Sequence, residues 1–240
     1  MSLTINMPVG VTDMSHHVHQ LHMIIFWICV AIGIIVFGLM FYAIIFHRKA
    51  AGHQAAKFHE HTQVEILWTI IPFLILVAMA IPATMTLFKM DDVSDSYMTI
   101  KITGYMWRWH YEYVGTNVAY MSELATPYEQ TINRAPKDEY YLREVDKPLV
   151  LPVGKKIRLL MTGNDVIHSW WVSDLAVKKD AIPGFINETW TLINQPGIYR
   201  GQCAELCGAR HGFMPIVVHA VSEEEFKTWL KAQELANKRS

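Results

Sequence analysis

The sequence predicts a two-helix transmembrane hairpin, followed by an all-β domain and a short C-terminal helix. Three observations lead to this fold class: two long uncharged apolar runs before residue 91, a series of short β-type segments after them, and a helix-capping pattern near the C-terminus. The predicted boundaries are an outer N-terminal segment over 1–22, a helical hairpin over 23–90, a β domain over 91–221 and a terminal helix over 222–240.

The two apolar runs are long enough to cross a bilayer. Residues 23–46 and 66–88 contain no charged side chain. At about 1.5 Å per residue, each spans roughly 35 Å as a helix, which exceeds the hydrocarbon core of about 30 Å. Pro72 and Pro82 interrupt the second run, but membrane helices tolerate proline. A pair of buried core helices is the alternative, and uncharged runs of this length are rare in a small soluble protein.

The charges between the runs predict the orientation. Arg48, Lys49 and Lys57 lie in the connecting loop, whereas no Lys or Arg precedes the first run. By the positive-inside rule, loop 47–63 faces the cytoplasm or an organelle matrix. Both termini and the β domain then lie on the periplasmic or intermembrane-space side. The formal net charge of −1 gives no indication of nucleic-acid binding.

The β domain is predicted from short apolar segments separated by Gly, Pro and Asn. The clearest segments are Met98–Thr103, Leu149–Val153, Lys156–Thr162, Glu188–Ile193 and Pro215–Ala220. Segments of this length and spacing are typical of an antiparallel sandwich or barrel. After them, Ser222 with Glu225 three residues later fits a capping box, so a terminal helix is predicted to begin there.

Residues that bind soft metals cluster near the end of the β domain. Two thiols, an imidazole and a thioether fall within one short stretch: Cys203, Cys207, His211 and Met214. His168 lies upstream. Soft sulfur and imidazole ligands favour copper over magnesium or calcium. One Cys, two His and one Met would make a mononuclear copper site, but a second Cys allows two thiolates to bridge two copper ions.

Three alternatives compete with a copper pair. Cys203 and Cys207 could form a disulfide, since the outer compartment is oxidising. Zinc could bind the Cys and His residues, although the spacing is unusual and zinc gains little from Met214. Taken alone, a histidine such as His168 more often forms hydrogen bonds within the protein than binds a metal. Its predicted role as a ligand therefore depends on the cluster over 203–214.

Several motifs resemble subunit II of the haem–copper cytochrome c oxidases over nearly the whole chain. They are Val64-Glu65-Ile-Leu-Trp68-Thr-Ile-Ile-Pro72, the aromatic run over 104–113, Asp165-Val-Ile-His168-Ser-Trp170, Asp180-Ala-Ile-Pro-Gly184 and the highly specific cluster over 203–214. The resemblance implies a cupredoxin-like barrel that holds a dinuclear copper centre. Where this chain has Met106, the family often has Gln.

The resemblance also implies roles for single residues. The implied copper ligands are His168, Cys203, the main-chain carbonyl of Glu205, Cys207, His211 and Met214. The Glu205 carboxylate would in addition bind a magnesium or manganese ion shared with subunit I. Glu65 would form the mouth of a proton-uptake path, although an acid in the first turn of a helix, in a capping box with Thr62, also has a purely structural use.

The aromatic run contains the residue at which electrons are implied to enter. Period-two alternation predicts that five aromatic side chains share one face of a strand: Tyr105, Trp107, Trp109, Tyr111 and Tyr113. Most of such a stripe is normally barrel core. The family places electron acceptance from the donor on the first Trp of the run, which is Trp107 here.

The implied function is electron acceptance from cytochrome c at the copper centre and transfer to haem in subunit I, where oxygen is reduced and protons are pumped. The implied partners are subunits I and III, cytochrome c and the lipid bilayer. No CxxCH motif occurs, so no c-type haem is expected in this chain. The alternatives are a quinol oxidase subunit II that retained a copper site, and a membrane-anchored copper carrier or assembly protein.

Docking of a basic cytochrome would require acidic side chains. From Asp91 onward the chain has 19 acidic and 17 basic residues, and the candidate acids are Glu112, Asp138, Glu139, Glu144 and Asp146. Electrostatic docking predicts a steep fall of the association rate with salt, whereas a salt-independent rate indicates apolar contact or a tethered donor.

Overall fold

The structure is a computed structural model that describes residues 5–52, 54 and 56–238. Outside the described residues lie 1–4 of the predicted N-terminal segment, 53 and 55 of loop 47–63, and 239–240 of the C-terminal tail. The chain forms two compact units. One is the helical hairpin Val18–Leu87, and the other is an outer domain made of Met1–His17 and Phe88–Ser240.

Two long helices contain the predicted spans. Helix α1 covers Asp13–Phe46 and helix α2 covers Thr62–Asp91, so both extend beyond the uncharged runs. In their most apolar stretches no side chain is buried. Exposed apolar helices that exceed the thickness of a bilayer core are stable in lipid, where the helix satisfies its own backbone hydrogen bonds. This part of the protein is therefore a membrane hairpin with two spans.

The start of α2 differs from the predicted capping box. The Glu65 carboxylate accepts the backbone N–H of His61 at 3.2 Å, and not that of Thr62. The capping interaction is thus displaced by one residue, because α2 already begins at Thr62 and His61 is the residue before it. Glu65 remains in the first turn, where a carboxylate interacts favourably with the helix dipole.

The outer domain contains two five-stranded sheets. The strands are β1 (Met98–Tyr105), β2 (Arg108–Tyr113), β3 (Ala119–Ser122), β4 (Leu149–Pro152), β5 (Lys156–Gly163), β6 (His168–Val172), β7 (Val177–Ala181), β8 (Asn187–Leu192), β9 (Gly197–Cys203) and β10 (Pro215–Val221). One sheet has the order β3-β2-β1-β5-β8 and the other β4-β10-β9-β6-β7. The five predicted strands correspond to β1, β4, β5, β8 and β10.

Strand direction departs from the antiparallel prediction at two places. Strand β1 pairs with β5 in parallel, and β4 pairs with β10 in parallel. The other pairings between these strands are antiparallel. Alternation of apolar residues reports which face of a strand is buried and carries no information about direction, so this feature could not be predicted from it.

The C-terminal helix closes one part of the barrel core. Helix α4 covers Glu223–Asn237, and the predicted capping box between Ser222 and Glu225 is confirmed in both directions. Phe226 is buried, and its ring centroid lies 6.3 Å from that of Tyr113 in β2. A short helix, α3, covers Tyr128–Thr131 in the long connection between β3 and β4.

The segment before α1 is attached to the β domain. Thr12 forms a β-bridge with Ile193, and the Val11 N–H donates to the Asp174 carbonyl at 2.9 Å. Thr12 is also buried. These contacts explain why residues up to His17 belong to the outer domain rather than to the hairpin.

Candidate metal centre

Strand pairing brings the predicted ligands together from three places in the sequence. His168 is the first residue of β6, and β6 pairs with β9, which ends at Cys203. The chain then makes a loop and returns as β10, which pairs antiparallel with β9 directly after Met214. The loop between β9 and β10 is therefore closed at its base by backbone hydrogen bonds, and its side chains meet the start of β6.

The four other predicted donors converge on the two thiols. The Cys203 Sγ lies 4.0 Å from the Nδ1 of His168 and 3.3 Å from the carbonyl oxygen of Glu205. The Cys207 Sγ lies 3.5 Å from the Nδ1 of His211 and 3.4 Å from the Sδ of Met214. Each sulfur thus has one imidazole and one weaker donor beside it.

The two cysteines are free thiols in this structure. Their Sγ atoms are 3.8 Å apart, far from the S–S bond length of about 2.05 Å. The donor atoms of His168, Cys203 and Cys207 all lie within 4.8 Å of one another, close enough to share metal ions. Because Met214 contributes a further soft donor, the set fits copper better than a structural zinc site.

The thiols interact strongly with each other. Burial disfavours ionisation of Cys203, but hydrogen bonds from His168 and the surrounding backbone outweigh it and lower the pKa to about 7. Burial and the neighbouring Cys203 thiolate raise the pKa of Cys207 to about 12. Without metal, the two thiols therefore lose their first proton easily and keep the second. A bound cation would displace that second proton, because metals bind cysteine as the thiolate.

Asp165 orients the His168 ring, a role that was not predicted. Its Oδ1 lies 2.8 Å from the His168 Nε2, and its Oδ2 accepts the Met106 N–H at 2.7 Å. With Nε2 engaged, His168 presents Nδ1 to the thiols. Burial would lower the pKa of His168, but Cys203 and Asp165 raise it overall. A carboxylate that is hydrogen-bonded to the second ring nitrogen of a ligating histidine commonly fixes the ring in this way. The three-residue spacing of Asp165 and His168 is the sequence feature from which this role could have been predicted.

Two core residues hold the ligands from behind. The Trp109 Nε1 donates to the Met214 carbonyl at 3.3 Å, and its ring makes an edge contact with the His168 ring at 5.9 Å between centroids. Gly104 also lies against His168, because a Cβ at this position would come within 2.7 Å of the imidazole. The glycine of the aromatic motif thus provides space for a ligand.

The predicted single aromatic strand is in fact a hairpin. Strand β1 ends at Tyr105 and β2 begins at Arg108, with these two residues paired across a two-residue turn. Trp109, Tyr111 and Tyr113 share a fully buried face as expected, but Trp107 lies in the turn. The turn residues Met106 and Trp107 lack the usual Asn-Gly signature, so no local pattern indicates the reversal.

The turn places Trp107 directly against the loop between β9 and β10 (204–214), which we call the ligand loop after the ligands predicted in it. Its Nε1 donates to the Cys207 carbonyl at 3.1 Å, and its ring is half-buried. Met106, which stands where the family often has Gln, contacts Asp165 through its backbone N–H, a group that every residue except proline supplies.

The two predicted acids are both exposed. The Glu205 side chain is exposed, while its carbonyl faces Cys203. Glu65 belongs to the hairpin unit and is exposed within it. The roles of both acids therefore stay predictions.

Two family models match the chain. A model described as the periplasmic domain of cytochrome c oxidase subunit II matches residues 98–221, and one described as the transmembrane domain of the same subunit matches residues 1–86. Together the matches cover the outer domain and the hairpin and leave out only short segments.

Curated relatives are similar over most of their length. A probable cytochrome c oxidase subunit 2 from Rickettsia bellii (strain RML369-C) is 39% identical over 92% of this chain and 81% of its own. Cytochrome c oxidase subunit 2 of Phytophthora megasperma is 38% identical over 92% of this chain and 83% of its own. That of Metridium senile is 45% identical over 70% of this chain and 67% of its own.

Solved structures share the fold of the outer domain. The periplasmic domain of subunit II of cytochrome oxidase (CoxB) from Bradyrhizobium japonicum has a TM-score of 0.54 and 38% identity, covering 60% of this chain and 98% of that one. A second structure, a mixed disulfide of a subunit II periplasmic domain with a thioredoxin-like protein, gives 0.51 and 37%, covering 61% and 96%.

Proposed function

The chain belongs to the cytochrome c oxidase subunit II family, so it is a subunit of an oxidoreductase complex, and we propose that it is the subunit through which electrons reach that complex. In this proposal, the outer domain binds two copper ions. It accepts electrons singly from a cytochrome c and delivers them to haem in subunit I, where oxygen reduction is coupled to proton pumping. When bound, the copper pair supplies a one-electron redox couple.

The observation that carries the proposal is the convergence of four donors on the two free thiols. His168, Cys203, Cys207 and Met214 are each 3% exposed or less, whereas His211 is partly exposed, so the chain excludes water from four of the five ligating side chains. Strands and buried aromatic rings fix these side chains before any ion binds. A preorganised, dry ligand set reorganises little when charge arrives, which favours rapid electron transfer.

Trp107 is the proposed point at which electrons enter. A half-buried indole that is hydrogen-bonded to the Cys207 carbonyl offers a continuous path from the protein surface to the ligand loop. The family match favours this electron-accepting role over a quinol oxidase subunit or a copper carrier.

Rapid mixing tests the proposed function. In the purified oxidase, reduced cytochrome c should be oxidised in a fast phase that precedes reduction of haem in the partner subunit. If haem is reduced without a preceding phase, and copper is absent from this chain, electrons reach haem by another route and the proposal is wrong.

We also propose that loop 47–63 lies on the cytoplasmic or matrix side and that both termini and the outer domain lie on the opposite side. Arg48 and Lys49 in the loop, against no basic residue before α1, support this orientation. Subunits I and III are the proposed partners in the membrane.

Glu205 is proposed to use its exposed carboxylate for a magnesium or manganese ion shared with subunit I. Carboxylate oxygen suits these hard cations, and thiolate does not. We expect Glu205→Gln to lower manganese incorporation in the purified oxidase at least about tenfold, a loss of roughly 1.4 kcal/mol, while copper stays bound. Glu224→Gln, which removes an exposed acid from α4, is the control, and unchanged manganese in Glu205→Gln would exclude the role.

Glu65 is proposed as the mouth of a proton-uptake path. Glu65→Gln keeps an acceptor oxygen for the His61 N–H but removes the titratable group. We expect steady-state turnover of the oxidase to fall about tenfold or more, because an uptake path without its acid transfers protons slowly. Glu60→Gln in the adjacent loop should have no effect. Full turnover in Glu65→Gln would leave the residue with only its structural use in the first turn of α2.

A further inference from the structure

A recess of about 200 Å³ lies on the exposed face of the sheet that contains β6 and β9. Trp171 in β6 is paired with Gln202 in β9, and Arg200 lies two residues before Gln202, so these three side chains share one face of the sheet. The neighbouring pair, Trp170 and Cys203, is buried on the opposite face. The residues that line the recess, which we call the arginine recess, are Arg143, Trp171, Ser173, Arg200, Gly201 and Gln202.

The connection between β3 and β4 brings a second arginine to this recess. Arg200 donates from Nη2 to the Glu144 carboxylate at 2.6 Å, and its guanidinium lies over the Tyr140 ring, 3.9 Å from the centroid. These contacts hold segment 140–144 against β9. Arg143 lies inside that segment, and its backbone N–H donates to the Tyr140 carbonyl at 2.7 Å. The chain thus positions two guanidinium groups at one recess without using the side chain of Arg143.

Most hydrogen-bond donors in the arginine recess have no partner in the chain. Within the described residues, the Arg143 guanidinium, the Ser173 hydroxyl and the Gln202 amide make no side-chain hydrogen bond, and no carboxylate lies within ion-pair distance of Arg143. Arg200 donates one of the five N–H groups of its guanidinium to Glu144. The recess therefore presents donors from three segments of the chain to whatever enters it.

The charges around the arginine recess sum to a positive value. Glu144 is paired with Arg200, and no acid lines the recess. Asp174 is the other acid that interacts with these arginines. Its burial raises its pKa, and the charge of Arg143 partly opposes that shift. The Lys178 ammonium adds a third cation, 5.7 Å from the centroid of the indole ring that forms one wall. Three cations thus face two acids, and a bound anion would offset the excess.

We propose that the arginine recess binds a phosphate group, carried either by a free phosphate compound or by the headgroup of a lipid. Two guanidinium groups on different segments donate to different oxygens of a tetrahedral anion, and Ser173 supplies a neutral donor. A planar carboxylate is satisfied by a single guanidinium fork and would leave the other cation uncompensated. The recess has the volume of about six or seven water molecules at roughly 30 Å³ each, which is room for a phosphate group. This site is separate from the proposed electron-transfer function.

Equilibrium dialysis of the purified oxidase against radiolabelled inorganic phosphate tests the proposal. We expect saturable binding that Arg143→Gln weakens at least about tenfold, because a charge-assisted donor is lost. Ser173→Ala should weaken binding about threefold, since it removes one neutral donor. Copper content should be the same in both variants, because neither residue belongs to the cluster of candidate ligands.

Two further variants separate a specific site from general attraction to positive charge. Arg134→Gln is the matched control, because it removes the same charge from an exposed position that does not line the recess, and it should leave phosphate binding unchanged. Asp174→Asn should tighten phosphate binding at least about threefold, since it removes a negative charge that opposes the anion.

Competition identifies the source of the phosphate group. Phosphatidic acid in mixed detergent micelles should displace inorganic phosphate if the site serves a lipid headgroup, whereas only soluble compounds such as pyrophosphate should displace it if the site serves a free phosphate compound. Three results would overturn the proposal: no saturable binding, equal affinity of Arg143→Gln and Arg134→Gln, or displacement of phosphate by acetate at equal concentration. The last result would show a carboxylate site.

Discussion

Replacing Cys207 by serine should abolish the dinuclear copper signal and electron transfer from cytochrome c. Cys207 lies within 4 Å of three other donors, Cys203, His211 and Met214, so its loss removes the link between the two halves of the ligand set. One thiolate with imidazole and thioether is a mononuclear ligand set. Copper content should therefore fall to one ion per chain or less, as measured by metal analysis with EPR.

The third cysteine of the chain provides the control. Cys29 lies in α1, outside the ligand cluster, and Cys29→Ser should leave both the copper content and the spectrum unchanged. The bridging role of the thiols is excluded if the unmodified protein binds no copper while Cys203 and Cys207 both titrate as free thiols.

Replacing Trp107 by glutamine should slow electron transfer from cytochrome c by at least about tenfold, equivalent to ~1.4 kcal/mol in the barrier. The indole joins the surface directly to the Cys207 carbonyl, and glutamine has no π-system to bridge that gap. Donor affinity and the copper spectrum should stay near normal, because Trp107 is only half-buried and supplies no ligand. Stopped-flow kinetics at saturating donor would measure the rate separately from binding.

Trp109→Phe separates this role from core packing. Trp109 is fully buried and supports Met214 and His168, so its replacement should lower the free energy of unfolding by about 1 kcal/mol for the lost hydrogen bond and alter the copper spectrum. Thermal unfolding and optical spectra would record both effects. If Trp107→Gln instead loses copper or unfolds the domain, Trp107 is a core residue and electrons enter elsewhere.

The clustering of the candidate ligands was predictable because their residue types are chemically distinctive. Two thiols, an imidazole and a thioether in one short stretch favour a soft-metal site, and the structure brings Cys203, Cys207, His211 and Met214 together with His168. The hairpin and the capping box of α4 were predictable for a similar reason, because uncharged length and cap spacing are local properties of the sequence.

Features that depend on contacts between distant segments were not predictable. The parallel pairing of β1 with β5 joins residues about sixty positions apart, and strand alternation is the same for either direction. The reversal at Trp107 lacked a turn signature. The use of Asp165 depends on both the His168 ring and the Met106 backbone, which only the folded hairpin brings together.

The most direct test of the account is EPR with metal analysis on residues 91–240 expressed alone, since the periplasmic domain of the Bradyrhizobium japonicum relative has been solved by itself. The account predicts two copper ions per chain and a hyperfine pattern from one unpaired electron shared by two copper nuclei. A single copper ion with a one-nucleus pattern, or a domain that binds only zinc, would contradict it.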